Sequence, residues 1–313
     1  MKMEEFIFDG LPVVEHKGKY IIFSYYNGKI VAINKNEFNK EKMTEFLKEQ
    51  NMLGTPKSCP GDYNDYVELV ISLTNDCNLR CKYCFVGEKN FCKKIIKKED
   101  IDSAIKAVGK LAKVKNKKEV FITFFGGEPT LYPELIKYSM EKAKNELKEY
   151  KVSFGITSNG VFNENIKNIL VDNNFTVTIS MDGLPKFQDK QRVTPNNKGT
   201  SQIIEQTIKD LTTKGVSVIV RMTITRPMIF EFKETIDYLK NLGVNIIHFE
   251  PITMGGRAKE NEQILERPSP EEYSEKLVEA IDYARENNVS IISSTVMNAL
   301  SPSYMFCDGV RQK

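Results

Sequence analysis

The chain has 313 residues, of which 41% are hydrophobic and 28% charged, and its 45 basic and 42 acidic residues leave a net charge of +3. This composition is typical of one large folded core, excludes the disordered and fibrous classes, and carries too little charge, too scattered, for a nucleic-acid partner. No run approaches the roughly 18 apolar residues of a membrane span, and the acidic N-terminus lacks the apolar segment of a signal peptide, so we expect a cytoplasmic protein without a membrane partner.

Residues 1–60 predict a small N-terminal α+β module. Short alternating apolar segments indicate two strands, and an Asn-Gly pair between them is typical of a hairpin turn. A stretch that contains two prolines and a glycine then predicts a linker. The expected elements are strands at 19–24 and 29–33, a turn at Asn27-Gly28, a helix near 38–49 and a linker at 54–62.

From residue 67 onward, apolar runs alternate with amphipathic stretches of helical period, which indicates repeated β/α units. The expected strands are 67–73, 119–125, 152–157, 176–181, 216–224 and 245–249, and the expected helices are 99–113, 132–148, 163–173, 200–213, 230–242 and 270–287. We expect helices to start at Asp100, Asn163 and Ser269-Pro270, and to end at Gly215 and Gly243. Right-handed crossovers then predict an α/β protein with a partial (β/α)6 TIM-like barrel over residues 67–297.

Cys77, Cys81 and Cys84 lie within eight residues directly after the first of these strands. In a β/α barrel, active sites are built at the carboxyl ends of the strands. Thiolates suit iron–sulfur or zinc centres, and we expect Arg80 and Lys82 to favour the deprotonated thiols. Three ligands leave one metal position open for catalysis, whereas a structural zinc site needs a fourth Cys or His. A zinc site and an inert buried cysteine stripe are the alternatives.

The Cys-x3-Cys-x2-Cys spacing, with the aromatic Tyr83 before the last cysteine, resembles the signature of radical S-adenosylmethionine enzymes. The resemblance implies that the cysteines bind three irons of a 4Fe-4S cluster, while the amino and carboxylate groups of S-adenosylmethionine chelate the fourth. One-electron reduction then cleaves this cofactor to methionine and a 5′-deoxyadenosyl radical that abstracts a substrate hydrogen. The resemblance also implies an electron donor such as flavodoxin or ferredoxin.

Polar and glycine-rich segments follow the later predicted strands. Gly126 to Pro129 look like the family's Gly-Gly-Glu-Pro motif, which binds the amino group of the cofactor, and other positions match residues that contact its ribose, carboxylate or adenine. A plain turn is the alternative at Gly126-Gly127, and Asp182 can instead orient its loop. Arg221, in the fifth predicted strand, is either a structural or a functional residue. By resemblance, the cofactor-binding residues are Tyr83, Gly126, Gly127, Glu128, Pro129, Ser158, Asn159, Ser180, Asp182, Arg192 and Glu250.

The order of these motifs is similar to the SPASM branch of the family, which modifies peptides and proteins and binds auxiliary 4Fe-4S clusters through a C-terminal extension. Residues 298–313 resemble the start of that extension, with Cys307 as an auxiliary-cluster ligand. Either the chain is a truncated or split form, or the auxiliary clusters are absent. The N-terminal module is similar to leader-recognition domains, which add an extended leader peptide to a sheet edge. A purely structural cap accounts for the same pattern.

We therefore expect a radical S-adenosylmethionine oxidoreductase that modifies a ribosomally synthesised peptide by thioether crosslinking, with no residue yet assigned to catalysis itself. Epimerisation and carbon–carbon crosslinking would use the same radical. One alternative is an enzyme that generates formylglycine in the manner of anaerobic sulfatase maturases. Another is a non-catalytic leader-binding protein.

Overall fold

The structure is a computed structural model that describes residues 5–24, 29–53, 65–85 and 93–294. The described residues before position 54 form one compact unit, and residues 65–292 form a second. The predicted Asn27-Gly28 turn, the linker at 54–62, Cys307 and the segment 298–313 lie outside the described residues.

The first unit is a four-stranded antiparallel sheet, ordered β1-β2-β3-β4, with one helix. Its elements are β1 (Glu5–Phe8), β2 (Leu11–His16), β3 (Lys19–Phe23), β4 (Ile30–Asn34), a 3-10 turn (Lys35–Glu37) and α1 (Lys40–Glu49). The sequence predicted β3, β4 and α1 but missed β1 and β2. Tight turns with positive φ at Asp9-Gly10 and Lys17-Gly18 join the first three strands. Since Asp-Gly is a strong hairpin signal, the missed strands were readable from the sequence.

The core of the first unit lies between the sheet and α1. Leu11 and Ile22 from the sheet are fully buried, and α1 contributes Met43 and Leu47, which lie one turn apart on its inner face. Asn39 caps α1, because its side chain accepts a hydrogen bond from the Lys42 amide at 3.1 Å. Helix α1 thus covers one face of the sheet. In the strand order β1-β2-β3-β4, the edge strands are β1 and β4.

The second unit contains a seven-stranded sheet in which β5 to β10 are parallel and each pairs with the next strand in the chain. This order confirms the six predicted β/α units and the open, barrel-like topology. A short seventh strand, which the sequence did not predict, extends the sheet beyond β10. The strands are β5 (Tyr66–Thr74), β6 (Glu119–Gly126), β7 (Lys151–Ser158), β8 (Thr176–Ser180), β9 (Val218–Ile224), β10 (Ile246–Pro251) and β11 (Ser290–Ser293).

The helices of the second unit are α2 (Lys98–Val114), α3 (Pro133–Glu146), α4 (Glu164–Asp172), α5 (Pro185–Gln191), α6 (Ser201–Thr213), α7 (Phe232–Asn241), α8 (Arg257–Glu260) and α9 (Pro270–Glu286), with 3-10 turns at Pro129–Leu131 and Arg226–Glu231. None of the helices in the described ranges is long and apolar enough to cross a membrane.

The capping predictions hold at four of the five positions. Asn163 caps α4, and Ser269 forms a capping box with Glu272 at the start of α9. Gly215 and Gly243 follow α6 and α7 with positive φ, as a helix end requires. The prediction for Asp100 is wrong: α2 starts two residues earlier, and Asp100 lies in its first turn.

The two faces of the parallel sheet differ in burial. On the face beneath the helices, Ile179, Val220 and Phe249 are completely buried, and Phe249 stacks on Phe232 of α7 at 4.5 Å between ring centroids. The opposite face, which we call the interior face, carries partly exposed polar residues such as Thr178. Because successive residues of a strand point to opposite faces, the sequence alternation places these polar side chains inside the barrel.

Candidate active site

The three cysteines lie on the loop that follows β5, which we call the thiol loop (Asn75 to Cys84). Cys81 is buried and the other two are partly buried, and all three are free thiols. The Cys77 sulfur accepts hydrogen bonds from the Leu79 amide at 3.4 Å and from the Asn159 side-chain amide at 3.6 Å. The loop therefore contains a partly desolvated sulfur that faces the end of β7.

Backbone hydrogen bonds hold the thiol loop against the segment after α5. The Arg80 amide donates to the Val193 carbonyl at 2.7 Å, and the Lys82 amide donates to the Gln191 carbonyl at 2.8 Å. On the side of β7, the Asn78 side chain donates to the Val161 carbonyl at 2.9 Å. These contacts fix the loop conformation through tertiary partners that a sequence pattern does not identify.

Burial has the largest effect on the pKa of the Cys77 and Cys81 thiols. Desolvation raises the pKa of Cys77 to about 11 and also raises the pKa of Cys81. Arg80 donates to the Cys77 and Leu79 carbonyls at 2.7 and 2.8 Å, and Lys82 donates to an Asn side chain. Arg80 thus stabilises the loop backbone and Lys82 binds the side chain of Asn197, so the expectation that these two cations favour thiolates is not supported for Cys77 and Cys81. Binding of a metal centre would have to release the thiol protons.

The glycine pair after β6 permits close contact with the thiol loop. The Gly127 amide donates to the Thr74 carbonyl at 2.6 Å, and the Glu128 amide donates to the Asp76 carbonyl at 2.8 Å. A Cβ atom on Gly126 would overlap the Thr74 carbonyl oxygen, and one on Gly127 would overlap the Asp76 carbonyl oxygen. The two positions therefore require glycine for steric reasons.

Glu128 is completely buried and joins the ends of β6 and β7. Its Oε1 accepts hydrogen bonds from the Thr130 amide and hydroxyl at 3.1 and 2.7 Å and from the Ser158 hydroxyl at 2.8 Å, while Oε2 accepts from the Asn159 amide at 2.7 Å. Burial raises the pKa of this carboxyl, and the hydrogen bonds oppose that shift. Pro129, also buried, starts the 3-10 turn that follows. Because Oε2 has a single donor among the described residues, it retains capacity to accept a further hydrogen bond.

A second buried network centres on Tyr83, the residue before Cys84. The Tyr83 hydroxyl donates to Asp182 Oδ2 at 2.7 Å and accepts from Arg192 Nη1 at 2.6 Å. Asp182 also accepts from the Gln191 side chain at 3.0 Å and from the Thr223 amide at 3.0 Å. The network links the thiol loop to the ends of β8 and β9, and it supports a loop-orienting role for Asp182.

Ser180 and Glu250 are partly exposed on the interior face, at the ends of β8 and β10. Glu250 Oε1 lies 3.0 Å from Nε2 of His248 on the same strand. The loops after β5 to β8 thus bring the other predicted positions together, whereas Ser180 and Glu250 lie near the ends of β8 and β10.

The sequence analysis missed a further wall of the site, formed by the segment after β10. The Arg257 amide donates to the Cys84 carbonyl at 3.1 Å, and Asn261 donates to the Lys82 carbonyl at 3.0 Å. Gly256 has a φ of 51°, and a Cβ there would lie 2.6 Å from the Phe85 Cα atom. The Gly-Gly pair at 255–256 was the available signal, because it predicts a close approach of backbone.

The residues present fit a metal–sulfur cluster with a bound anion. No three Cys, His, Asp or Glu side chains in the described ranges lie close enough to share one metal ion, but a four-iron cluster needs wider spacing, since each cysteine binds a different iron. The buried Nε atoms of Arg192 and Arg257, both on residues that contact the thiol loop, have no hydrogen-bond partner among the described residues. Unpaired buried donors of this kind are expected where a ligand binds.

This geometry defines a partial β/α barrel with three cysteines at the carboxyl edge of its sheet, where they could bind a cluster. The profile of the radical SAM superfamily matches residues 71–239, more than half of the chain. The chain belongs to the radical S-adenosylmethionine superfamily, and its cofactors are accordingly a 4Fe-4S cluster and S-adenosylmethionine.

Curated relatives include two maturation proteins. The chain is 31% identical over 156 residues to the Cysteine-type anaerobic sulfatase-maturating enzyme of Clostridium novyi, covering 46% of this chain and 39% of the relative. It is 27% identical over 240 residues to the sporulation killing factor maturation protein SkfB of Bacillus subtilis, covering 74% of this chain and 54% of the relative. The matched regions thus span about half or less of the length of these relatives.

Among solved structures, the fold is similar to anSMEcpe with bound AdoMet and the Kp18Cys peptide. The TM-score is 0.62 at 23% identity, and the match covers 72% of this chain and 63% of that chain. This likeness concerns the fold alone and agrees with the open parallel sheet described above.

Proposed function

We propose that this chain is a maturase that modifies a ribosomally synthesised peptide, by joining a cysteine thiol to a carbon atom as a thioether. The single observation that carries the proposal is the convergence of the thiol loop with the Glu128 and Tyr83 networks at one edge of the sheet. The substrate class is supported by the two relatives, which are named as maturation enzymes of a sulfatase and of a sporulation killing factor.

In this proposal Cys77, Cys81 and Cys84 bind the cluster, and the unpaired Nε of Arg192 binds the carboxylate of S-adenosylmethionine. Glu128 Oε2, with its remaining acceptor capacity, binds the ammonium group. Ser158, Asn159, Ser180, Asp182 and Glu250 position the rest of that molecule or the loops around it. When bound, the two cofactors supply a 5′-deoxyadenosyl radical for hydrogen abstraction.

Thioether formation replaces one C–H and one S–H bond with a C–S bond, which is a two-electron oxidation of the peptide. One hydrogen atom leaves in 5′-deoxyadenosine, and the thiol proton and the second electron leave separately. An auxiliary 4Fe-4S cluster in a SPASM-type extension, with Cys307 as a ligand, is the proposed electron acceptor in a longer form. Flavodoxin or ferredoxin would reduce the first cluster, which places the reaction in the reducing cytoplasm.

The N-terminal unit is the proposed leader-binding module. It presents two sheet edges, β1 and β4, and an extended leader can pair with either by backbone hydrogen bonds. The fully buried residues Leu11 and Ile22 belong to a hydrophobic core made of residues of this unit, and that core supports the sheet to which a peptide would bind. Deletion of residues 1–60 should then weaken binding of the leader while 5′-deoxyadenosine formation in the absence of peptide persists.

The test is anaerobic reconstitution with iron and sulfide, followed by measurement of 5′-deoxyadenosine under a strong reductant. The triple variant with Cys77, Cys81 and Cys84 changed to Ala should lose the brown chromophore and the product. Full iron content in that variant would refute the ligand assignment. A fully loaded wild-type enzyme that forms no 5′-deoxyadenosine would remove the enzyme proposal and leave the non-catalytic leader-binding alternative.

Formylglycine formation is the second candidate, favoured by the similarity to the Clostridium novyi enzyme. Mass spectrometry of a peptide turned over by the enzyme separates the two reactions. A thioether lowers the peptide mass by two hydrogens and retains sulfur, whereas formylglycine made from Cys has lost the sulfur and two hydrogens and gained one oxygen. Epimerisation leaves the mass unchanged in normal water and introduces deuterium in D2O.

A further inference from the structure

Arg221 is a charged residue in the middle of β9, whose other residues are apolar or Thr. Central strands of a parallel sheet usually read as continuous apolar runs, so a charge at this position departs from the pattern in the way functional sites do. The register places Arg221 opposite Ser180 of β8 and His248 of β10. All three residues therefore lie side by side on the interior face of the sheet.

The positive charge of Arg221 is not compensated within the described part of the chain. Its side chain is exposed, and its guanidinium has no hydrogen bond and no ion pair there. Arg226, five residues further along, is by contrast held by Glu272, with Nη2 2.8 Å from Oε1. The acid on the neighbouring strand, Glu250, pairs with His248 at 3.0 Å. An arginine left with five free donors beside a serine and a histidine is suited to an external anion.

The distance from Arg221 to the proposed cofactor site indicates which anion it binds. Thr223, two residues after Arg221 on β9, donates its amide to Asp182 at 3.0 Å, and Asp182 accepts from Tyr83 of the thiol loop at 2.7 Å. Two residues of a strand span roughly 6.6 Å. A group bound by Arg221 therefore lies about one layer of side chains inside the barrel from the residues that hold the cofactors, where a substrate must lie to be close to the radical.

We propose that Arg221, which lies between Ser180 and His248 in the sheet, binds a carboxylate of the peptide substrate through its guanidinium. The inference rests on the proposed function, because it assumes that a peptide enters the barrel. Guanidinium and carboxylate match in a bidentate, charge-assisted pair. Across the same interior face, Val70 is 53% exposed and Phe121 is partly exposed, which provides an apolar wall for the rest of the substrate. The subsite thus selects an acidic residue, or a C-terminus, close to the reacting carbon.

The test uses the reconstituted full-length enzyme with S-adenosylmethionine and two pools of random N-acetylated octapeptides, one amidated and one with a free C-terminus. Bound peptides are recovered by ultrafiltration and sequenced by mass spectrometry. We compare the wild type with Arg221→Gln, Arg221→Lys and Arg221→Glu. Arg285→Gln is the matched control, because it removes the same charge from an arginine of α9 with 76% exposed side chain.

The wild type and Arg285→Gln should enrich acidic peptides over their amide counterparts by about 10- to 100-fold, the range expected for a charged hydrogen-bonded pair. Arg221→Gln should lose this enrichment, Arg221→Lys should keep part of it, and Arg221→Glu should enrich Lys and Arg instead. Enrichment in both pools identifies a side-chain carboxylate, and enrichment in the free-acid pool alone identifies the C-terminus. The reversed preference of Arg221→Glu is a readout that a purely structural role of Arg221 does not produce.

Two results overturn the inference: no enrichment of acidic peptides by the wild type, or equal enrichment by the wild type and Arg221→Gln. The second result can be accompanied by a tenfold loss of S-adenosylmethionine affinity in Arg221→Gln. That loss would assign the guanidinium to the cofactor. The proposed function fails separately, through the absence of 5′-deoxyadenosine from the loaded wild-type enzyme. If that product forms and acidic peptides are not selected, only the carboxylate subsite is wrong.

Discussion

Replacement of Glu128 by Gln tests whether this carboxylate holds the site together in the absence of any cofactor. The side chain is completely buried, and four donors from Thr130, Ser158 and Asn159 surround it. Gln preserves the shape, but its amide has only one oxygen. In the better orientation the oxygen keeps the three donors of Oε1, and the NH2 group meets the Asn159 amide, so that two donors face each other.

The expected loss of unfolding free energy follows from the one lost hydrogen bond, between Glu128 and the Asn159 amide. A hydrogen bond to a charged group contributes about 1.5–3 kcal/mol, and a buried donor left without an acceptor costs about 1–3 kcal/mol. Removal of the buried charge offsets part of the loss, because burial raises the pKa of Glu128 and therefore disfavours its ionised form. A net destabilisation of about 3 kcal/mol lowers the Tm of a unit of this size by roughly 6–12 °C.

The assay is differential scanning calorimetry of the apo-protein, which isolates the structural contribution from binding of S-adenosylmethionine. Glu141→Gln, which neutralises an exposed acid on α3, is the matched control and should melt within about 1 °C of the wild type. If Glu128→Gln melts together with the control, the four hydrogen bonds do not support the site. The role of Glu128 would then be confined to the cofactor.

Four further predictions concern the same loops. Because burial raises the pKa of Cys77 to about 11, against 9.0 for an ordinary thiol, its alkylation by iodoacetamide in the apo-protein at pH 8 should be about 100-fold slower than for a free thiol. The same raised pKa stabilises the folded state below pH 9, and this stabilisation is lost as the pH rises through 11. Urea unfolding at a series of pH values should therefore show that the difference in unfolding free energy between the wild type and Cys77→Ala changes over this range. A difference that does not change with pH would contradict the prediction. Gly127→Ala should reduce the Tm and the iron content after reconstitution, because the added Cβ overlaps a carbonyl oxygen of the thiol loop; normal iron loading would show that the loop can move aside. Tyr83→Phe removes a hydroxyl that bridges Asp182 and Arg192, so the apo-protein should lose about 2 kcal/mol in urea unfolding, whereas a loss below about 0.5 kcal/mol would mean that the two charges pair without it.

The elements of the second unit were largely predictable because their signals are local. Helix caps such as Asn163 and Ser269 act within one turn, and each central strand carries apolar residues at alternate positions and is bounded by turns. The elements that the sequence did not predict correctly have equally local causes. The four-residue β11 is too short to show a period, and the start of α2 at Lys98, which has no side-chain cap, gives no signal before Asp100. In the first unit, the Asp9-Gly10 pair is a local hairpin signal for β1 and β2, the two strands that the sequence analysis did not predict.

The sequence by itself determined the superfamily and therefore the class of cofactor, because the spacing of three thiols after a strand is a local signal that requires no distant partner to be recognised. It also determined which loops meet, since parallel strands direct their carboxyl ends to one edge. Only the tertiary structure decided what each polar residue does there. Oε1 of Glu128 accepts three hydrogen bonds from Thr130 and Ser158, Arg80 binds carbonyls of the loop backbone, and Arg221 has no partner among the described residues. Hydrogen bonding and desolvation depend on atoms brought together across long sequence separations, and no local pattern contains those distances.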